Sequence, residues 1–123
     1  MLTDLFTIES VTEENPCAFL AKASVDANHP VFQGHFPGIP VLPGVCSLYL
    51  IRTCAERFLG CCMRYNTVDF CKFTAMIDPL RNEQITVKGN IKQDEEEIQI
   101  KAMMLYGNRT VLKLQATMRE ITL

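Results

Sequence analysis

Only one stretch of this chain, Pro43 to Phe58, repeats its apolar residues at helical spacing. Val45, Leu48, Ile51, Ala55 and Phe58 make the stripe, and Tyr49, Leu50 and Cys54 widen it. Ser47, Arg52, Thr53, Glu56 and Arg57 are its few polar members, so the spacing predicts a largely buried helix. Pro43 suits the first turn, where a missing N–H costs nothing, and Gly60 is a natural stop. A chain with one buried helix must supply the rest of its core from strands.

The remaining sequence alternates with period two. Leu5–Ser10 is a short strand candidate, which Glu13-Glu14-Asn15-Pro16 is expected to break. Cys17–Val25 sets Phe19, Ala21 and Ala23 against Lys22 and Ser24. Asp26–Pro30, with His29, reads as turn material. Thr67–Phe73, Gln84–Lys92, Glu97–Tyr106 and Arg109–Arg119 follow as strands, the last two joined by the turn signal Gly107-Asn108. The predicted class is α+β: one domain over residues 1–123, an antiparallel sheet curled around one helix. Its strand edges need cover, which a dimer joining two sheets would provide.

With 123 residues there is room for one domain only, and 48% hydrophobic residues suffice for one core. A net charge of −2 carries no polybasic signature, so nucleic acid is not an expected partner. The N-terminus has an early acid and no basic-then-apolar leader, and no run approaches a membrane span. The expected location is cytoplasmic, with no membrane association. Six cysteines without a Cys-x-x-Cys pair, beside two histidines, argue against a zinc site. They read as small buried hydrophobes in a reducing compartment.

Between the second strand and the helix lies Gly34-His35-Phe36-Pro37-Gly38-Ile39-Pro40-Val41-Leu42-Pro43-Gly44. Three prolines and three glycines in eleven residues exclude helix and central strand. Its apolar residues suggest a stiff loop that lines something. The run Gly34-His35-Phe36-Pro37-Gly38-x-Pro40-x-x-Pro43-Gly44-Val45 resembles the signature of the 3-hydroxyacyl-[acyl-carrier-protein] dehydratases. The resemblance extends over nearly the whole chain.

That resemblance implies the hot-dog fold, a long central helix wrapped by an antiparallel sheet, and a site at a dimer interface. The substrate would be a 3-hydroxyacyl thioester on the phosphopantetheine arm of acyl carrier protein, dehydrated to the trans-2-enoyl thioester without a metal or soluble cofactor. His35 would be the base, since imidazole is matched to proton abstraction near neutral pH. The Gly44 N–H at the helix start would receive the charge growing on the thioester oxygen. Gly34, Phe36, Pro43 and Val45 would complete the substrate-binding segment.

The family also carries a Glu or Asp fourteen residues after its histidine, and here that position is Tyr49. A phenol with an ordinary pKa near 10 is a poorer proton donor at neutral pH, and Tyr49 fits core packing as well as it fits a site. Glu56 is two turns on, and Asp69 is on the next strand. Three readings stay open. The chain is a divergent dehydratase using Tyr49 or water; or a subunit of a heterodimer whose second hot-dog partner supplies the acid; or a hot-dog thioesterase or acyl-binding module. Acyl carrier protein is acidic, so Arg52, Arg57, Arg64, Lys72 and Arg81 are candidates for a basic docking rim. Leu48, Phe70 and Phe73 are candidates for the acyl tunnel.

Overall fold

The computed structural model describes residues 2–33 and 40–121. Strand β1 (Phe6–Asn15) turns into β2 (Ala18–Val25), and helix α1 (Gly44–Leu59) follows the Pro/Gly-rich segment. Then come β3 (Met63–Phe73), β4 (Ile85–Asp94), β5 (Glu97–Tyr106) and β6 (Arg109–Glu120). The six strands form one antiparallel sheet in the order β1-β2-β4-β5-β6-β3, and α1 packs against it. This is the hot-dog arrangement.

The alternation that marks the strands also builds the core. Ile85, Val87 and Ile91 of β4, Ile98, Ile100 and Met104 of β5, and Leu112, Leu114 and Met118 of β6 are all buried on the helix side. Helix α1 adds Cys46, Leu50, Ile51, Cys54 and Ala55. Gly89 is what allows β2 to reach the helix. It is the Cα partner of Phe19, and a Cβ there would stand 2.3 Å from the Phe19 ring. That ring, fully buried, meets Phe58 of α1 with centroids 5.3 Å apart.

Strand β1 is longer than the sequence pattern suggests. Glu13, Glu14 and Asn15 do not end it; Glu13 and Asn15 stay paired with β2, with Glu14 at a register irregularity between them, along an exposed sheet edge where charge is tolerated. Pro16 falls in the turn, which the Asn15 side chain closes by accepting the Cys17 N–H at 2.8 Å. Helix α1 stops where expected, with Gly60 left-handed at φ 75°. Cys46 and Cys54 are buried small hydrophobes, but Cys17 and Cys62 are exposed and Cys61 and Cys71 half-buried. Burial as a class therefore holds for two of the six thiols, because the others sit at turns and on the edge strand β3.

Candidate functional site

Helix α1 begins without a side-chain cap. Pro43, at φ −62° and ψ 143°, occupies the N-cap and offers no side-chain acceptor. The Cys46 N–H turns back to the Pro43 carbonyl at 3.0 Å. The Gly44 and Val45 N–H groups have no partner among the described residues. The start of α1 therefore presents two free donors at the positive end of a 16-residue helix.

The first of these donors, Gly44, borders a cavity of about 330 Å³ lined by Val41, Leu42, Pro43, Gly44, Ser47, Phe73, Ala75, Met76, Ile77 and Val111. Backbone bonds fix its walls: the Leu42 N–H donates to the Ile77 carbonyl at 3.0 Å, and the Thr74 N–H to the Val111 carbonyl at 2.9 Å. The Thr74 hydroxyl adds a bond to the Thr110 carbonyl at 2.7 Å. The next loop is tied down by Tyr106, whose hydroxyl donates to the Asp78 carbonyl at 2.8 Å. Phe73 closes over the helix start. A Cβ on Gly44 would lie 2.6 Å from its ring, so only glycine lets the ring lie against this turn.

The apolar loop read as lining something thus lines this cavity through Val41 and Leu42. Pro43 and Gly44 stand in its wall. Val45 points away and is 66% exposed, one residue out of phase with the buried face. Phe73 is in the wall, whereas Leu48 is not, and Phe70 lies on the outer face of the sheet. Gly34, His35 and Phe36 lie outside the described residues. His29 is buried and serves its turn: its Nδ1 accepts the Val31 N–H at 3.0 Å.

Tyr49 is not brought to this cavity. It lines a separate pocket of about 220 Å³ with Thr3, Phe6, Ile8, Leu50, Thr53 and Arg57. The Arg52 guanidinium stands 5.3 Å from its ring centroid, a cation–π contact. The other acid candidates are occupied elsewhere. The Glu56 carboxylate accepts the Met63 N–H at 2.7 Å and an Arg52 N–H at 3.3 Å, joining the end of α1 to β3. Asp69 accepts from the Thr67 hydroxyl on exposed β3. Among the described residues no carboxylate lines the cavity. Tyr65 is also committed: its hydroxyl donates to the Leu48 carbonyl at 2.7 Å, and burial pushes its pKa well above the usual tyrosine range.

The sequence reading missed Ser47, counted there only as a polar interruption of the helical stripe. Its place three residues after Gly44, on the same helix face, was the available signal. Ala75, Met76, Ile77 and Val111 carried no local signal, because they reach the cavity from distant parts of the chain.

No helix among the described residues is long and apolar enough to cross a membrane. No group of three metal-ligating side chains occurs among them either.

A family model described as ApeI-like, ApeI dehydratase, matches residues 10–116. The 3-hydroxyacyl-[acyl-carrier-protein] dehydratase FabZ of Syntrophomonas wolfei is 30% identical over 103 residues, covering 74% of this chain and 72% of the relative. FabZ of Clostridium perfringens is 30% identical over 107 residues, covering 84% of this chain and 71% of the relative. Among solved structures, the dehydratase heterocomplex ApeI:P from Xenorhabdus doucetiae superposes with a TM-score of 0.74 at 17% identity, covering 92% of this chain and 96% of that one. A hypothetical thioesterase with coenzyme A from Streptococcus pneumoniae gives 0.70 at 12% identity, covering 98% and 91%. At these identities the superpositions speak for the fold.

Proposed function

The chain belongs to the ApeI-like dehydratase family, and from that premise we propose that it acts on 3-hydroxyacyl thioesters, eliminating water to give the trans-2-enoyl thioester. The observation that carries this reading is the apolar cavity walled by Pro43 and Gly44, with the Gly44 N–H of α1, unpartnered among the described residues, at its edge. An acyl chain fits such a wall. A thioester oxygen placed at the Gly44 N–H meets a donor and the helix dipole where negative charge develops. His35 is the base that takes the proton alpha to the carbonyl. The chemistry calls for no metal or soluble cofactor, and the acyl group arrives on the phosphopantetheine of acyl carrier protein.

A basic surface supports an acidic carrier as partner. All six lysines lie on strands of one sheet: Lys22, Lys72, Lys88, Lys92, Lys101 and Lys113. Lys88, Lys101 and Lys113 share one outer groove with Phe70 and no carboxylate. Lys72 and Lys113 are Cα partners, and each stands within two residues of a cavity-wall residue, Phe73 or Val111. Of the docking residues expected from sequence, Lys72 is on this face, whereas Arg52 and Arg81 are paired with Glu56 and Glu83.

One further observation favours a heterodimer over a self-sufficient enzyme. The cavity has no carboxylate among its described lining, and Tyr49 faces another pocket. A second hot-dog subunit with Glu or Asp at the equivalent helix position would complete the site around His35. The edge strand β3 suits such a partner, since Val68, Phe70 and Phe73 are exposed along it.

The test is a carrier-linked 3-hydroxyacyl thioester assay following enoyl product and free thiol together, on the chain alone and with a carboxylate-bearing hot-dog subunit. The expected result is enoyl product that rises with the partner and disappears with His35→Ala. Free thiol without enoyl product would make the protein a thioesterase, and neither product in either condition would refute the reading.

A further inference from the structure

We infer that the Ser47 hydroxyl is a substrate-binding group that holds an oxygen on the third carbon of the acyl chain, one helical turn inside the Gly44 amide. The inference rests on the acyl-thioester reading above. Ser47 is 5% exposed, and among the described residues that line the cavity it is the one with a polar side chain. Its hydroxyl makes no hydrogen bond to any described residue, unlike that of Thr53 on the same helix, which donates to the Tyr49 carbonyl at 2.9 Å. Every fully enclosed side-chain nitrogen or oxygen among the described residues has a partner. The Ser47 oxygen, which has no such partner, therefore retains some accessible surface, and its residue lines the cavity.

In the open cavity water can partner this hydroxyl; a ligand that displaces the water without bringing a matching polar atom leaves it unpaired in an apolar wall, which is costly. Position says which atom. Ser47 is three residues after Gly44, so the two are neighbours on one face of α1. In a 3-hydroxyacyl thioester the carbonyl oxygen and the 3-hydroxyl are two carbons apart, close to hydrogen-bond spacing. With the carbonyl on the Gly44 N–H, the 3-oxygen comes within reach of the next turn. Serine has no useful acidity at neutral pH, so its role is to orient the hydroxyl and to select for it. A saturated chain in the same cavity would leave Ser47 unpaired, and sites built around one hydrogen bond reject ligands that lack it.

The test is calorimetric binding of two probes, 3-hydroxyoctanoyl-pantetheine and octanoyl-pantetheine, to the wild type, Ser47→Ala and Ser47→Cys. The wild type is expected to bind the hydroxylated probe about tenfold more tightly, the value of one net hydrogen bond. Both variants should bind the two probes alike, since a thiol donates weakly. Thermal melts check that the variants fold, as they should when the lost hydroxyl had no partner. Binding of both probes with the preference unchanged in the variants, or with no preference in the wild type, would overturn the role of Ser47 while leaving the acyl site standing. Failure of the wild type to bind either probe would overturn the acyl site and this inference together.

Discussion

Gly89→Ala places a methyl group where the Phe19 ring already is. The new Cβ would lie 2.3 Å from Cε2 and 2.4 Å from Cζ of that ring. Carbon atoms in contact prefer about 3.5–4.0 Å, so the ring must retreat by about 1.2 Å. It cannot leave toward solvent, being fully buried, and on the helix side it meets Phe58. Overpacking of this kind costs about 1–3 kcal/mol. The stiffer unfolded chain returns about 0.4–1 kcal/mol of that, so the net loss is about 1–2 kcal/mol. For a domain of this size 1 kcal/mol is worth about 4 °C, and the melting temperature should fall by about 4–8 °C. Circular dichroism melts at one fixed protein concentration measure this. The contrast is Gly44→Ala, whose Cβ would come 2.6 Å from the half-exposed Phe73. That ring can swing outward, so the melting temperature should hold while acyl binding in the cavity weakens. Phe19→Leu should recover part of the Gly89→Ala loss, because the clash is with the ring. A Gly89→Ala melting temperature within about 1 °C of wild type, or no rescue by Phe19→Leu, would refute the packing argument.

Two further outcomes follow from buried thiols and paired lysines. Burial raises the Cys54 thiol to about 12 from an ordinary 9.0, the nearby Arg57 opposing the shift. The folded chain therefore keeps a proton that the unfolded chain releases, so stability is unaffected below pH 9 and falls as pH rises from there toward 12. The loss from this thiol is about 1 kcal/mol between pH 9 and 10. Urea titrations across that interval should show a shallower slope for Cys54→Ala, and an equal slope would remove the thiol from the account. Lys72 and Lys113 face each other across β3 and β6, and like charges directly opposite cost about 0.2–1 kcal/mol. Lys113→Glu should raise stability by about that amount at low salt and not at high salt, while weakening carrier-protein binding. Unchanged carrier affinity would place docking elsewhere.

The strands and the helix were legible because burial writes a period into the sequence. Residues 97–106 alternate so cleanly that β5 matches its expected span. In the helix stripe Val45 is the apolar member left exposed, at the start of α1, and Ser47, read as a polar interruption, is buried. The failure at β1 has a different cause. Acidic residues read as a break because they oppose burial, but an edge strand needs pairing on one side only, so Glu13 and Glu14 can be strand and solvated at once. Local sequence does not say which strand will be an edge. That is settled by the sheet order, in which β1 and β3 are the two ends.

The same distinction explains the site. The Pro/Gly segment announced itself because rigidity and apolar side chains rarely coincide in an open loop, and its Val41 and Leu42 do line the cavity. What it could not announce was the far wall, supplied by Ala75, Met76, Ile77 and Val111 through bonds between distant backbones. Tyr49 shows the limit of reasoning by spacing. Fourteen residues from His35 fixes its place along α1, but the cavity at Gly44 lies on the Ser47 face and Tyr49 lies on the Arg57 side. A side chain at that helix position, like Tyr49, faces a different pocket from the one at Gly44. Around Gly44 no described lining residue is a carboxylate, and that is the gap an acid would have to fill. On the proposed reading, that acid would come from a second hot-dog subunit docked along β3, with His35 and the α1 amides contributed by this chain.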